Sequence, residues 1–112
     1  MKRAIPAGAL AILLAAPAMA KDTRFWNLTS STVKSLELAP AGSSAFGPNQ
    51  TKNDPDGAVD HDERLKVLAV TTGSYDVRLK LADGRQCMAK GVRVEAGKVF
   101  AIEDKDLTAC SR

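Results

Sequence analysis

Apolar and polar residues alternate along most of the chain with a period of two, the spacing of side chains on a β-strand. Tyr75, Val77, Leu79 and Leu81 interleave with Asp76, Arg78 and Lys80 in the cleanest such run, and Leu65, Val67 and Ala69 alternate with Lys66 and Leu68. Two runs nearer the N-terminus, Arg24 to Thr29 (RFWNLT) and Thr32 to Ala39 (TVKSLELA), are rich in β-branched, aromatic and aliphatic residues. In the second, Val33 is offset by one from the set formed by Leu36 and Leu38. Ser30-Ser31 between them suits a tight turn, so the two runs predict a hairpin.

Turn residues punctuate the rest. Asp83-Gly84 is a strong hairpin signal leading into Gln86 to Lys90. Gly91 marks a bulge or break before Val92 and Val94. Ala96-Gly97 is a further turn, Val99 to Ile102 reads as a last strand, and Asp104 to Cys110 ends the chain with one helical turn capped by Asp104 or Asp106. Ala41 to Asp62 is different: glycine, proline, serine, asparagine and aspartate dominate it, with Ala45, Phe46 and Val59 as its only anchors. A loop of that length in a small domain is usually functional or mobile. About seven short strands without a long helix predict an all-β fold, a small antiparallel β-sandwich or open barrel with one long acidic loop. The expected interior is Phe25 or Trp26, with Leu36, Leu38, Leu65, Val67, Tyr75, Val77, Leu79, Leu81, Val92, Val94, Phe100 and Ile102. Trp26 is expected to be the largest core anchor, with a contact side chain as the alternative.

Residues 1–20 stand apart from this pattern. Lys2 and Arg3, the apolar run Ala7 to Ala16 and the small-x-small step Ala18-Met19-Ala20 have the order of a cleaved secretory signal peptide. The apolar run is too short to span a bilayer. Cleavage after Ala20 leaves a single β-sandwich domain over 21–112, with no transmembrane segment, and predicts a periplasmic or secreted protein. The 16 basic residues of the chain then fall to 14 against 13 acidic, a net charge of +1 that implies no nucleic-acid partner. Both cysteines, Cys87 and Cys110, lie in the mature part, and a pair in an oxidising compartment predicts a disulfide. Closing its loop of about 24 residues is worth roughly 3 kcal/mol in the chain-entropy picture.

Several short motifs together resemble a set of small exported bacterial all-β proteins of unknown function. They are Phe25-Trp26-Asn27-Leu28-Thr29, Thr32-Val33-Lys34-Ser35-Leu36 with Pro40, Phe46-Gly47-Pro48-Asn49, Tyr75-Asp76-Val77-Arg78 and Asp83-Gly84. Phe46 stands where that pattern often has Trp. The resemblance implies an exported all-β domain and carries no activity across.

One stretch has the composition of a metal loop. Five of the 13 acidic residues, Asp54, Asp56, Asp60, Asp62 and Glu63, fall within ten positions. Laid on a 12-residue EF-hand loop that begins at Lys52, Asp54 takes position 3, Asp56 position 5 and Gly57 the turn at 6. The Ala58 carbonyl takes 7, Asp60 takes 9 and Glu63 takes 12. That candidate set (Asp54, Asp56, Ala58, Asp60, Glu63) would suit Ca²⁺, which wants six to eight oxygens. Against it, Lys52 occupies the first ligand position and no helix flanks the loop. The plainer reading is a solvated acidic turn.

Other chemistry is sparse. His61 between Asp60 and Asp62 suggests a general base, but adjacent residues on an extended chain point apart and no nucleophile is placed. Asn27-Leu28-Thr29 and Asn49-Gln50-Thr51 match the glycosylation sequon, though Asn27 lies in an expected strand. Arg78, Lys80, Arg85, Lys90 and Arg93 could line a cationic sheet face for an acidic partner or anionic polymer. The sequence therefore predicts no catalytic residue and no required cofactor. It points to a non-enzymatic binding or structural module with a protein or polymer partner outside the cytoplasm. The alternatives are a Ca²⁺-binding module, a small hydrolase, or a protein inhibitor presenting Ala41 to Asp62.

Overall fold

The computed structural model describes residues 21–112, so the expected signal peptide lies outside the described residues. Among the described residues seven strands form two sheets that do not close into a barrel. In chain order they are β1 (Thr23–Leu28), β2 (Val33–Pro40), β3 (Arg64–Val67), β4 (Gly73–Leu81), β5 (Gln86–Val94), β6 (Val99–Glu103) and β7 (Thr108–Ser111). The three-stranded sheet has the order β3-β1-β6 and the four-stranded sheet the order β2-β4-β5-β7. All pairings are antiparallel except β1 with β6, which is parallel, so the expected antiparallel sandwich holds with one exception.

The predicted hairpin between β1 and β2 does not form, because the two strands belong to different sheets. The chain turns across the sandwich at residues 29–32, and buried side chains dictate the crossing. Thr29 N–H and its hydroxyl both donate to Asn27 Oδ1, at 3.0 and 2.7 Å. Asn27 Nδ2 donates to the Ser31 and Val59 carbonyls at 2.9 and 2.8 Å. A two-residue hairpin turn would leave Asn27, which is fully buried, without these partners. The offset of Val33 has its cause here too: the register of β2 against β4 shifts between Val33 and Ser35. That bulge turns Val33 inward along with Leu36 and Leu38.

The core lies between the sheets. Phe25, Leu65, Val67, Phe100 and Ile102 come from one side, and Val33, Leu36, Leu38, Val77, Leu79, Leu81 and Val94 from the other. Phe25 and Phe100 meet with ring centroids 5.7 Å apart. Tyr75 and Val92 are only partly buried at its margin. Trp26, expected as a core anchor, points outward because its neighbour Phe25 takes the inward position on a strand whose side chains alternate.

Gly91 supplies the expected bulge, with φ of 65° and a register shift of β5 against β4. Asp83-Gly84 makes the expected β4–β5 hairpin turn. The last strand of the chain was not visible in its pattern: β7 is exposed at every residue, so no alternation marks it. Its pairing with β5 and the disulfide hold it. Cys87 and Cys110 are joined, with Cα atoms 4.0 Å apart, across these two strands.

The long loop closes one side of the sandwich. A 3₁₀ turn at Gln50–Asn53 packs against both β2 and β3. On the β2 edge, Asn49 Oδ1 accepts from Leu36 N–H, Thr51 Oγ1 donates to the Lys34 carbonyl, and Gly47 N–H donates to the Leu38 carbonyl. Val59 and Val33 exchange two backbone hydrogen bonds at 2.9 Å. On the β3 side, Gln50 both donates to and accepts from the Leu68 backbone at 3.0 Å, and Asn53 Nδ2 donates to the Lys66 carbonyl. The loop is polar in composition because its side chains satisfy two sheet edges.

Candidate functional site

Four of the five carboxylates of the acidic loop are engaged, each with a different partner. Asp54 accepts from Asp56 N–H at 2.8 Å, and Asp60 from the Thr32 hydroxyl at 2.9 Å. Asp62 accepts from Trp26 Nε1 at 2.9 Å, and Glu63 from Asp60 N–H at 2.8 Å. Asp56 is exposed, and Ala58 leads into the buried Val59 that anchors the loop. The EF-hand-like set is therefore not brought to one centre: among the described residues no three His, Cys, Asp or Glu side chains converge to hold a metal ion. His61 Nδ1 lies 2.7 Å from the Thr29 carbonyl, so the ring donates there.

The residues of the other short sequence motifs also have structural partners. Both Asn-x-Thr motifs form the same turn: Asn49 Oδ1 accepts from Thr51 N–H and hydroxyl at 3.0 and 2.9 Å, as Asn27 does from Thr29. Asp76 joins the long loop to the β5 bulge by accepting from Gly42 N–H and Gly91 N–H. Those two bonds, helped by nearby Lys90, hold its carboxyl below the usual carboxylate range. Asp83 is lowered likewise, first by Arg85 N–H and then by the Arg85 and Ser31 side chains. Arg78 pairs with Glu37 at 2.8 Å and lies 4.0 Å over the Phe46 ring, which removes it from any free cationic surface.

The expected cationic row is divided as a result. Lys90 and Arg93 lie beside a cleft between β5 and β6. Lys80 and Arg85 lie at the opposite end of β4 and β5, where Lys34 and Arg112 join them around a groove of about 500 Å3. The registers Ser35↔Lys80, Lys80↔Gln86 and Gln86↔Ser111 place a hydroxyl, an ammonium, an amide and a hydroxyl in one line across all four strands. Arg85 is paired with Asp83 at 2.9 Å, and Arg112 donates to the Asp83 carbonyl at 2.6 Å. Lys34 and Lys80 make no ion pair among the described residues. Among the described residues no acidic side chain lines the groove. Sequence reasoning found Lys80 and Arg85 by alternation, but missed Lys34 and Arg112, which only the sheet order brings beside them.

On the other sheet, Trp26 lies in a polar setting. Arg64 lies 4.1 Å from its ring centroid and Asp62, held at φ of 71°, accepts its indole N–H. No helix among the described residues is long and apolar enough to cross a membrane. Compared with protein-family models, curated proteins and solved structures, the chain matches none of them.

Proposed function

We propose that the protein is an exported, non-catalytic binding module that holds an anionic polymer along the polar row of its four-stranded sheet. The observation that carries this reading is the groove itself. Lys34 stands beside the line Ser35, Lys80, Gln86 and Ser111, neither lysine has an ion pair among the described residues, and none of the described acidic side chains lines the groove. An array of cations and hydrogen-bond donors on a fixed sheet surface suits successive carboxylate, sulfate or phosphate groups of an extended chain. Asp83 fixes Arg85 and Arg112 at the rim, so their positions are set before a ligand arrives. Export is supported by the signal-like residues 1–20 and by the Cys87–Cys110 bond. The non-catalytic part rests on His61, Asp54 and Glu63, tied to separate backbone groups, and on Asp60 and Asp62, tied to the Thr32 hydroxyl and the Trp26 indole, instead of converging in a cleft.

Calorimetry with dextran sulfate and neutral dextran tests the reading. Binding is expected for the sulfated polymer alone, weakening as salt shortens the Debye length to about 8 Å at 0.15 M. The double substitution Lys34→Glu with Lys80→Glu is expected to weaken it at least about tenfold, a change of roughly 1.4 kcal/mol. Lys98→Glu with Lys105→Glu, equal in charge but away from the groove, leaves it unchanged. Equal effects of the two pairs would contradict a local site.

A further inference from the structure

The two sheets have four outer edges, and three of them are blunted. The β2 edge is covered by the long loop, and β2 ends at Pro40. Beside β3 stand Gln50 and Asn53, and its outward residues are Arg64 and Lys66. β7 is a short strand broken by Ala109 at φ of 48°. Such devices are how proteins keep sheet edges from accepting further strands. β6 has none of them: Val99–Glu103 (VFAIE) is regular, lacks proline and lysine, and among the described residues pairs only with β1.

The register fixes which backbone groups of β6 are free. Arg24 N–H donates to the Lys98 carbonyl in a parallel ladder in which Arg24 stands opposite Val99. Lys98, Phe100 and Ile102 thus face β1, and the backbone groups of Val99, Ala101 and Glu103 face away. Asp106 accepts from Glu103 N–H at 2.8 Å, leaving Val99 and Ala101 to point into a cleft of about 340 Å3. The far wall of that cleft is β5 beyond Met88, which β7 no longer covers, because β7 meets β5 only opposite Gln86 and Met88. The long loop seals one side of the sandwich, and this cleft is the unsealed side. Val99, 48% exposed, is one of two large apolar side chains left in solvent among the described residues. Lys90 and Arg93, without an ion pair among the described residues, line the same cleft and outnumber its one carboxylate, Asp106, which is bonded to Glu103 N–H.

We infer that this cleft takes an extended segment of a partner polypeptide, which adds as a strand to the free edge of β6. The segment alternates apolar residues with acidic ones. Its backbone bonds Val99 and Ala101, and its carboxylates meet Lys90 and Arg93. The added strand would bridge the gap between β6 and β5. This site lies at the opposite end of β5 from the proposed polymer groove and does not depend on it.

The probe is the blocked peptide VEVEV, with VKVKV and VEPEV as controls, followed by amide hydrogen exchange of the intact disulfide-bonded protein. VEVEV is expected to slow exchange at the Val99 and Ala101 amides at least tenfold, and the controls are not. Val99→Lys, which blunts the edge without touching the core, is expected to abolish the protection. Lys90→Glu with Arg93→Glu is expected to switch the preference to VKVKV. Binding that leaves both amides unprotected overturns the inference. So does a concentration-dependent dimer that protects the same two amides without peptide, since the occupant is then a second copy. No response to any peptide also overturns it.

Discussion

At the scale of single residues, two asparagines and two aspartates do the work that a small all-β domain needs at its crossings. Asn27 makes four hydrogen bonds at a fully buried position and ties β1, the 29–32 crossing and the long loop together. Asn27→Ala leaves Thr29 N–H without its partner, at about 1–3 kcal/mol for a buried unsatisfied group, while the Val59 carbonyl keeps its bond from Val33 N–H. Urea unfolding is therefore expected to show a loss of roughly 1–3 kcal/mol, above a typical surface substitution. A loss below about 0.5 kcal/mol would mean that the crossing does not depend on this side chain. Asp76 and Asp83 have folded-state pKa values below their unfolded ones. A depressed carboxylate contributes stability that is present above its unfolded value, near pH 4, and is lost as pH falls through the folded value. Stability is thus expected to decline below about pH 4, with a shallower decline in Asp76→Asn and Asp83→Asn. Identical acid limbs in wild type and both variants would remove these bonds from the account.

Elements tell a different story from their composition. The stretch Ala41 to Asp62 has the residue types of a solvated loop, yet it contributes buried Gln50, Thr51 and Val59 and covers two strand edges. Its acidity resembles half a metal loop for a local reason: aspartate and asparagine cap tight turns by accepting from backbone N–H groups. Drawing Asp54, Asp60 and Glu63 onto one ion would break the three bonds they now accept. Thermal unfolding curves are therefore expected to coincide in millimolar Ca²⁺, millimolar Mg²⁺ and chelator. A Ca²⁺-specific rise abolished by Asp56→Ala and by Glu63→Ala would show that the loop rearranges around a metal. Strand elements were legible where one face is buried, as in β4, whose alternation survives intact from sequence to structure. They were illegible where both faces meet solvent, as in β7, because no apolar period then exists to be read. The β1–β2 hairpin expectation failed because Ser30-Ser31 signals a turn without specifying the sheet to which the next strand returns.

For the whole molecule, sheet order decides which surface residues become neighbours, and a linear pattern cannot supply that. The alternation on β4 and β5 marked Arg78, Lys80, Arg85, Lys90 and Arg93 as outward cations, but pairing with Glu37 removes Arg78 and the β5 bulge separates the remainder into two ends. Only the order β2-β4-β5-β7 brings Lys34 and Arg112 to the Lys80 end. The Cys87–Cys110 bond holds β7, and with it Ser111 and Arg112, beside β5. The covalent staple thereby builds one wall of the groove as well as restricting the unfolded chain. The measurement that bears most directly on the proposed role is amide chemical-shift mapping of the disulfide-bonded protein titrated with a sulfated dextran oligomer. The expected result is a contiguous set of shifts at Ser35, Lys80, Gln86 and Ser111, absent with the neutral oligomer and absent in the Lys34→Glu, Lys80→Glu double variant. Shifts confined to the Trp26 face or to the Lys90–Arg93 cleft, with that row unmoved, would contradict it.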